Sequence, residues 1–174
     1  FMTNWVFVPA YNSAGRGDAP YGVWSSRMLA TTNPWLNSNN NAYDMGVALV
    51  APRSGRRLAE IVGGQGLAWN RSPSQSFIDL GYPSRAPFDG RSMFACTGTT
   101  ARIDTRYPSP RPIGLVCPMT QGSSGGGWHI NVNGSGLGYV NGLNSYKYNA
   151  DQSTMYSPYF GSAAQSLYNF VRTK

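Results

Sequence analysis

The sequence predicts an all-β protein closed by a single helix, and three observations carry that expectation. Only 12% of residues are charged, while Gly, Pro and Tyr number 21, 12 and 11, a balance that suits short strands and tight turns better than helices. Segments rich in aromatic and β-branched residues recur between clusters of Gly, Pro or Asn, the pattern of successive strands. Only near the C-terminus does the apolar spacing change to a helical period. With 174 residues and 41% hydrophobic content, the chain can bury a core, as one unit or as two packed halves.

Residues 4–11, 21–31 and 43–50 are predicted strands, the later members of a first small barrel. A polar turn over 53–57 follows. Further strands are expected at 60–62, 66–70, 76–82, 92–99, 113–119, 128–132 and 137–143, a density that suggests a second barrel or sandwich. Phe160, Ala164, Leu167, Tyr168 and Val171 then fall at helical spacing behind Ser157 and Pro158, both good N-terminal signals. The expected division is therefore 1–57, 58–156 and 157–174, with the asparagine run 37–41 as an exposed loop.

A formal charge of +7 raises the question of nucleic acid, yet the basic residues are scattered. Arg53, Arg56 and Arg57 form the one cluster, in a Gly-containing turn that reads as a solvated loop, so no nucleic-acid partner is expected. No stretch has the apolar length of a membrane span, and Phe1 opens without the pattern of a signal peptide; a soluble, processed chain is the expectation. Cys96 and Cys117 each lie in an apolar strand-like segment. They suit one disulfide in an oxidising compartment better than a metal site, which needs three or four ligands; two buried free thiols in a reducing cell is the alternative. No cofactor or metal is expected.

The sharpest chemistry lies in Gly122-Ser123-Ser124-Gly125-Gly126-Gly127, between two predicted strands. A serine hydroxyl is a weak nucleophile that needs an exposed, tightly turned backbone with amide hydrogens aimed at the developing oxyanion. Glycines on both sides provide the turn, so Ser124 can attack while the amides of Gly122 and Ser124 hold the oxygen. On the motif alone, a flexible Gly-Ser hairpin loop is an equal reading.

Its context, Cys117-Pro-Met-Thr-Gln-Gly-Ser-Ser-Gly-Gly-Gly-Trp, resembles the nucleophile loop of the chymotrypsin-like serine proteases, most closely the secreted glutamyl-endopeptidase-like and trypsin-like enzymes of bacteria and fungi. Ser123 stands where animal enzymes carry the acid that anchors a newly freed N-terminus, and Gly127 where the pattern has Pro. Upstream, Tyr43-Asp44-Met45-Gly46-Val47-Ala48-Leu49-Val50 resembles the family's aspartate segment. The resemblance implies Asp44 as the acid that orients a histidine. The strand over 137–145 is similar to the substrate-edge segment and the terminal helix to the family's closing helix. The resemblance also implies pocket walls from Pro118, Met119 and Gln121 and from Leu143, Asn144 and Ser145, none of them acidic, which argues against a preference for Arg or Lys.

The family order is His, Asp, Ser, and no histidine precedes Asp44. The one histidine, His129, follows Ser124 by five residues on a predicted strand, which should carry it away. It reads as structural. The implied protein is a secreted, extracellular serine endopeptidase acting on peptide substrates, in which this chain is the heavy chain and a separate N-terminal chain supplies the catalytic histidine. A non-catalytic relative kept as a binding module and a β-rich carbohydrate-binding domain are the alternatives.

Overall fold

Trp24 opens the longest strand and is buried at its inner end. That strand, β2 (Trp24–Thr31), pairs antiparallel with β1 (Val6–Phe7) and β3 (Gly46–Val50) in the order β1-β2-β3. The computed structural model describes residues 3–13 and 18–174. Phe1, on which the expectation of processing rests, lies outside them.

Between β2 and β3 the asparagine run is not one exposed loop. It begins in a helix, α1 (Asn33–Ser38), which starts because the Thr32 hydroxyl accepts from the Trp35 amide at 3.4 Å and Pro34 sits in the first turn. Asn39, left-handed at φ 51°, ends it, and a 3-10 turn, Asn41–Tyr43, delivers Asp44. The predicted strand at 60–62 is likewise a helical turn, α2 (Ala59–Val62). Its Glu60 carboxylate accepts from the Arg57 amide at 3.0 Å, and Gly63 stops it at φ 71°. A single turn is too short to register as a period.

The remaining strands are β4 (Gly66–Leu67), β5 (Ser76–Gly81), β6 (Phe94–Thr99), β7 (Arg102–Ile103), β8 (Ile113–Val116), β9 (Gly127–Ile130), β10 (Tyr139–Leu143), β11 (Tyr146–Tyr148) and β12 (Asp151–Ser157). They form a five-stranded sheet, β4-β10-β9-β5-β6, and a four-stranded sheet, β11-β12-β8-β7. The protein is all-β as expected, although no sheet closes into a barrel among the described residues. Alternation along β5 turns Phe77, Asp79 and Gly81 inward. Phe77 meets Trp128 edge-on at 5.3 Å, and Ile113, Leu115, Met119, Ile130 and Met155 fill the space between the two sheets.

The hairpin β11–β12 was not foreseen by the strand pattern. Tyr146 and Tyr156 stack across it at 5.1 Å, and a cross-strand aromatic pair stabilises such a hairpin where apolar alternation is weak. Ser157 therefore ends a strand, paired with Ile113, and the helix α3 (Ser162–Val171) begins only after Gly161. Its Ala164, with Phe160 ahead of it, buries against Met45, and Leu67, Val140 and Leu143 pack around them, tying the first sheet to the second.

Cys96 on β6 and Cys117, just beyond β8, are bonded at 2.05 Å, so the disulfide joins the five-stranded sheet to the four-stranded one. The bridge closes 21 residues, for which chain entropy predicts about 3 kcal/mol of stabilisation. Replacing both cysteines by Ala should lower unfolding free energy by that order in denaturant titration, and unreduced peptide mapping should recover the two cysteine peptides joined.

Candidate functional site

The loop between β8 and β9 is glycine-rich because two positions admit nothing larger. Gly122 has φ +97° and a Cβ there would lie 2.2 Å from the Ser84 hydroxyl; at Gly126 it would lie 2.2 Å from the Leu80 carbonyl oxygen. The turn before β6 grips the loop's first half. Ser84 donates its amide to the Gln121 carbonyl at 2.7 Å, and the Thr120 hydroxyl donates to the Arg85 carbonyl at 2.6 Å. Buried Ser123 donates its hydroxyl back to the Thr120 carbonyl at 2.9 Å.

Ser124 is left exposed at the tip. Its hydroxyl makes no hydrogen bond, and the amides of Gly122 and Ser124 donate to nothing among the described residues. A free hydroxyl beside two free amide donors can attack a carbonyl and receive the resulting oxyanion.

Asp44 is held by its neighbours on both sides. The Thr31 hydroxyl donates to the Met45 carbonyl at 2.7 Å and the Thr32 hydroxyl to the Tyr43 carbonyl at 2.6 Å, so the end of β2 fixes the peptide units flanking the carboxylate. Asp44 Oδ2 accepts from the Ser145 hydroxyl at 2.6 Å. Burial pushes its carboxyl above the usual carboxylate range, and the Ser145 hydrogen bond offsets part of that.

Asp44 and Ser124 line one cleft of about 700 Å³, together with Trp5, Leu29, Trp35 and Asn144. His129 is not among its walls. It sits on β9 opposite Val140 and Ile78, with Nδ1 3.3 Å from the Ile78 carbonyl oxygen.

The residues assigned to substrate binding divide. Leu143 and Asn144 line the cleft shared with Asp44. Met119, Gln121 and Ser145 line a second pocket of about 520 Å³ with Ser124 in its wall. Pro118 borders neither: strand-like alternation turns Cys117 and Met119 inward and Pro118 outward, into a groove with Phe88 and Phe94. Sequence reasoning missed Lys147, whose ammonium donates to the Cys117 and Gln152 carbonyls, both at 2.6 Å, within that second pocket. No carboxylate lines it, and burial holds the Lys147 pKa below its ordinary value. The tryptophans form no exposed row of the kind a sugar-binding surface uses: Trp24 and Trp128 are buried and Trp5, Trp35 and Trp69 half-buried.

Behind the nucleophile loop lies Asp79, fully buried, with neither carboxylate oxygen hydrogen-bonded. Burial raises its pKa from 3.8 to about 7, against the opposing pull of the Asn144 amide and the Lys147 charge. The folded protein thus holds a proton that the unfolded chain has released between those two values. Its contribution to stability is present at low pH and is lost as pH rises toward about 7, by on the order of 4 kcal/mol at most. Asp79→Asn should remove this slope. Chemical denaturation from pH 4 to pH 8 should show the wild type losing stability relative to the variant until about pH 7 and running parallel above it; parallel curves throughout would refute the assignment.

No protein-family model and no curated protein sequence matches the chain. Solved structures do. The protease Anisep from Arthrobacter nicotinovorans is similar at 40% identity and a TM-score of 0.88, over 99% of this chain and 76% of that one. The thermostable serine protease AL20 from an extremophilic microorganism is similar at 37% identity and a TM-score of 0.87, over 98% of this chain and 76% of that one. A Glu endopeptidase shares the fold, with a TM-score of 0.76 at 16% identity over 98% of this chain and 73% of that one. Together with the all-β architecture, the glycine-framed serine and its open amides, these likenesses establish that the chain belongs to the chymotrypsin-like serine proteases.

Proposed function

We propose that this chain is the heavy chain of a serine endopeptidase, completed by a separate N-terminal chain that brings the catalytic histidine. The observation that carries the reading is the shared cleft: an unbonded serine hydroxyl and an oriented carboxylate border one cavity whose walls include no imidazole. The first sheet supports it further. Its outer strands have unpaired edges among the described residues, and Val6, Phe7, Val23 and Leu36 are exposed beside it, apolar surface that additional strands would cover. A disulfide-bonded enzyme of this kind acts outside the cell.

In the assembled site the imidazole takes the proton of the Ser124 hydroxyl as its oxygen bonds to the substrate carbonyl carbon. The Gly122 and Ser124 amides receive the negative oxygen, and Asp44 holds the resulting imidazolium. The imidazolium then protonates the departing amine, leaving an acyl-serine that water hydrolyses by the same steps in reverse order. Ser145 keeps Asp44 aimed throughout.

The adjoining pocket supports a preference for an acidic side chain next to the cleaved bond. Lys147 uses two of its three donors on carbonyls, pairs with no carboxylate, and is joined at the rim by Arg85. Of its two acidic neighbours, Asp151 is ionised but makes no ion pair with it, and buried Asp79 is about half protonated near neutrality.

In the assembled protein a fluorophosphonate should attach to Ser124 and to nothing in Ser124→Ala, and Asp44→Asn should lower kcat by about 10,000-fold with the fold intact. Labelling that survives in Ser124→Ala, or a native protein that contains no second polypeptide and labels nowhere, would leave the non-catalytic relative as the better account. Peptides with Glu at the cleaved position should exceed their Gln counterparts in kcat/KM by about tenfold or more, roughly the value of one charge-assisted hydrogen bond. Lys147→Met should abolish that difference; a difference that persists would remove Lys147 from the pocket's chemistry.

A further inference from the structure

Ser123 carries no charge, so no ion pair fixes the peptide ahead of the nucleophile. Gly122 and Gly125 both have positive φ, at +97° and +79°, and glycines lose more freedom on ordering than any other residue. The loop's second half nevertheless has a defined geometry, and most of the bonds that define it end on one buried residue. Asn144, 1% exposed, accepts through its carbonyl from the Gly125 amide at 2.9 Å and donates its own amide to the Gly126 carbonyl at 2.8 Å. These two bonds belong to the backbone and any side chain would keep them.

The side chain adds a third constraint. Asn144 Oδ1 accepts from the Trp128 indole at 2.8 Å, and Nδ2 donates to the Ser123 carbonyl at 3.2 Å. The indole nitrogen can only donate, so it dictates which end of the Asn144 amide faces it, and the NH2 must then face Ser123. The Ser123 carbonyl and the Ser124 amide belong to one planar, trans peptide unit, whose C=O and N–H point in opposite directions. Holding the carbonyl oxygen from one side therefore aims the Ser124 amide to the other, where the substrate oxygen arrives. The Gly126 amide, also on the Ser123 carbonyl at 2.9 Å, completes a two-donor grip.

We propose that the Asn144 side chain is a positioning residue for the oxyanion hole, setting the Ser123–Ser124 peptide plane through its hydrogen bond to the Ser123 carbonyl, with Trp128 enforcing its orientation. It touches no reacting atom. The proposal rests on Ser124 being the nucleophile, and it assigns to an uncharged amide the task of keeping the hole in its working geometry.

The test uses the assembled protease, comparing wild type with Asn144→Leu, of similar size but without the amide. The amide acts where charge develops, so kcat should fall about 10-fold to 100-fold, less than the loss of a hole donor itself, while KM changes by less than about threefold. A peptide boronate, which places a negative tetrahedral oxygen in the hole, should lose affinity by the same factor, whereas an uncleaved peptide that binds without that charge should not. A merely structural residue would weaken both ligands alike. If Asn144→Leu does not fold, Asn144→Ser, too short to reach Ser123, gives the same comparison. A wild type labelled by fluorophosphonate whose variants keep kcat and boronate affinity, or lose both ligands equally, overturns the positioning role alone. A wild type that neither labels nor cleaves overturns this role together with the protease reading.

Discussion

Asn144 and Ser145 follow β10 without a break, and side chains of successive extended residues point to opposite sides. One side is the nucleophile loop, met by the Asn144 amide; the other is Asp44, met by the Ser145 hydroxyl. The separation between serine and carboxylate is thereby tied to the backbone of a single dipeptide, anchored in turn by β10 pairing with β9. Elements far apart in the chain come into register at this junction. The end of β2 positions Asp44, and the turn at 83–85 positions the front of the loop. Shifting β10 by one residue would exchange the two faces and separate the Ser124 loop and Asp44 from their supports.

The candidate site tolerates an electrostatic liability close by. Asp79 occupies an inward position of β5, between Cys96 on β6 and Trp128 on β9 of the same sheet, among apolar neighbours. Its proton is retained near neutrality because burial outweighs the pull of the nearby Asn144 amide and Lys147 charge, and neither carboxylate oxygen makes a hydrogen bond. Asp104 is the contrast. The Tyr146 and Tyr148 hydroxyls and the Arg106 amide donate to it, and although burial pushes its pKa up, those bonds hold it below the ordinary value. Two aspartates of one small protein are shifted in opposite directions by a difference in donors.

Much of this was legible in the chain because the signals are local. Glycines on both sides of Ser124 announce an exposed turn within six residues, and aromatic and β-branched runs announce most strands. The pairing of Cys96 with Cys117 was legible by count and placement, and a place for Asp44 near Ser124 through the resemblance of its segment. What escaped depends on contacts distant in sequence: Ser145 reaches Asp44 across 101 positions, and Asn144 meets the loop through a bond that its own neighbours do not predict. Ser145, expected as a pocket wall, lines the second pocket and also donates to Asp44. The segment at 60–62 was misread because one helical turn and one short strand carry the same apolar composition. Hairpin β11–β12 was missed because tyrosines on its strands alternate with polar residues and satisfy each other by stacking. Lys147 lay within it and went unnoticed for the same reason.

The open edges of the first sheet also bear on how such a chain behaves by itself. Among the described residues β1 and β3 form the two outer edges of that sheet, and Val6 and Phe7 on β1 are exposed. A strand edge of this composition templates pairing with any extended segment it meets, including the same edge of another copy. Such edges make self-association, strand to strand, the failure mode to expect wherever they are left uncovered.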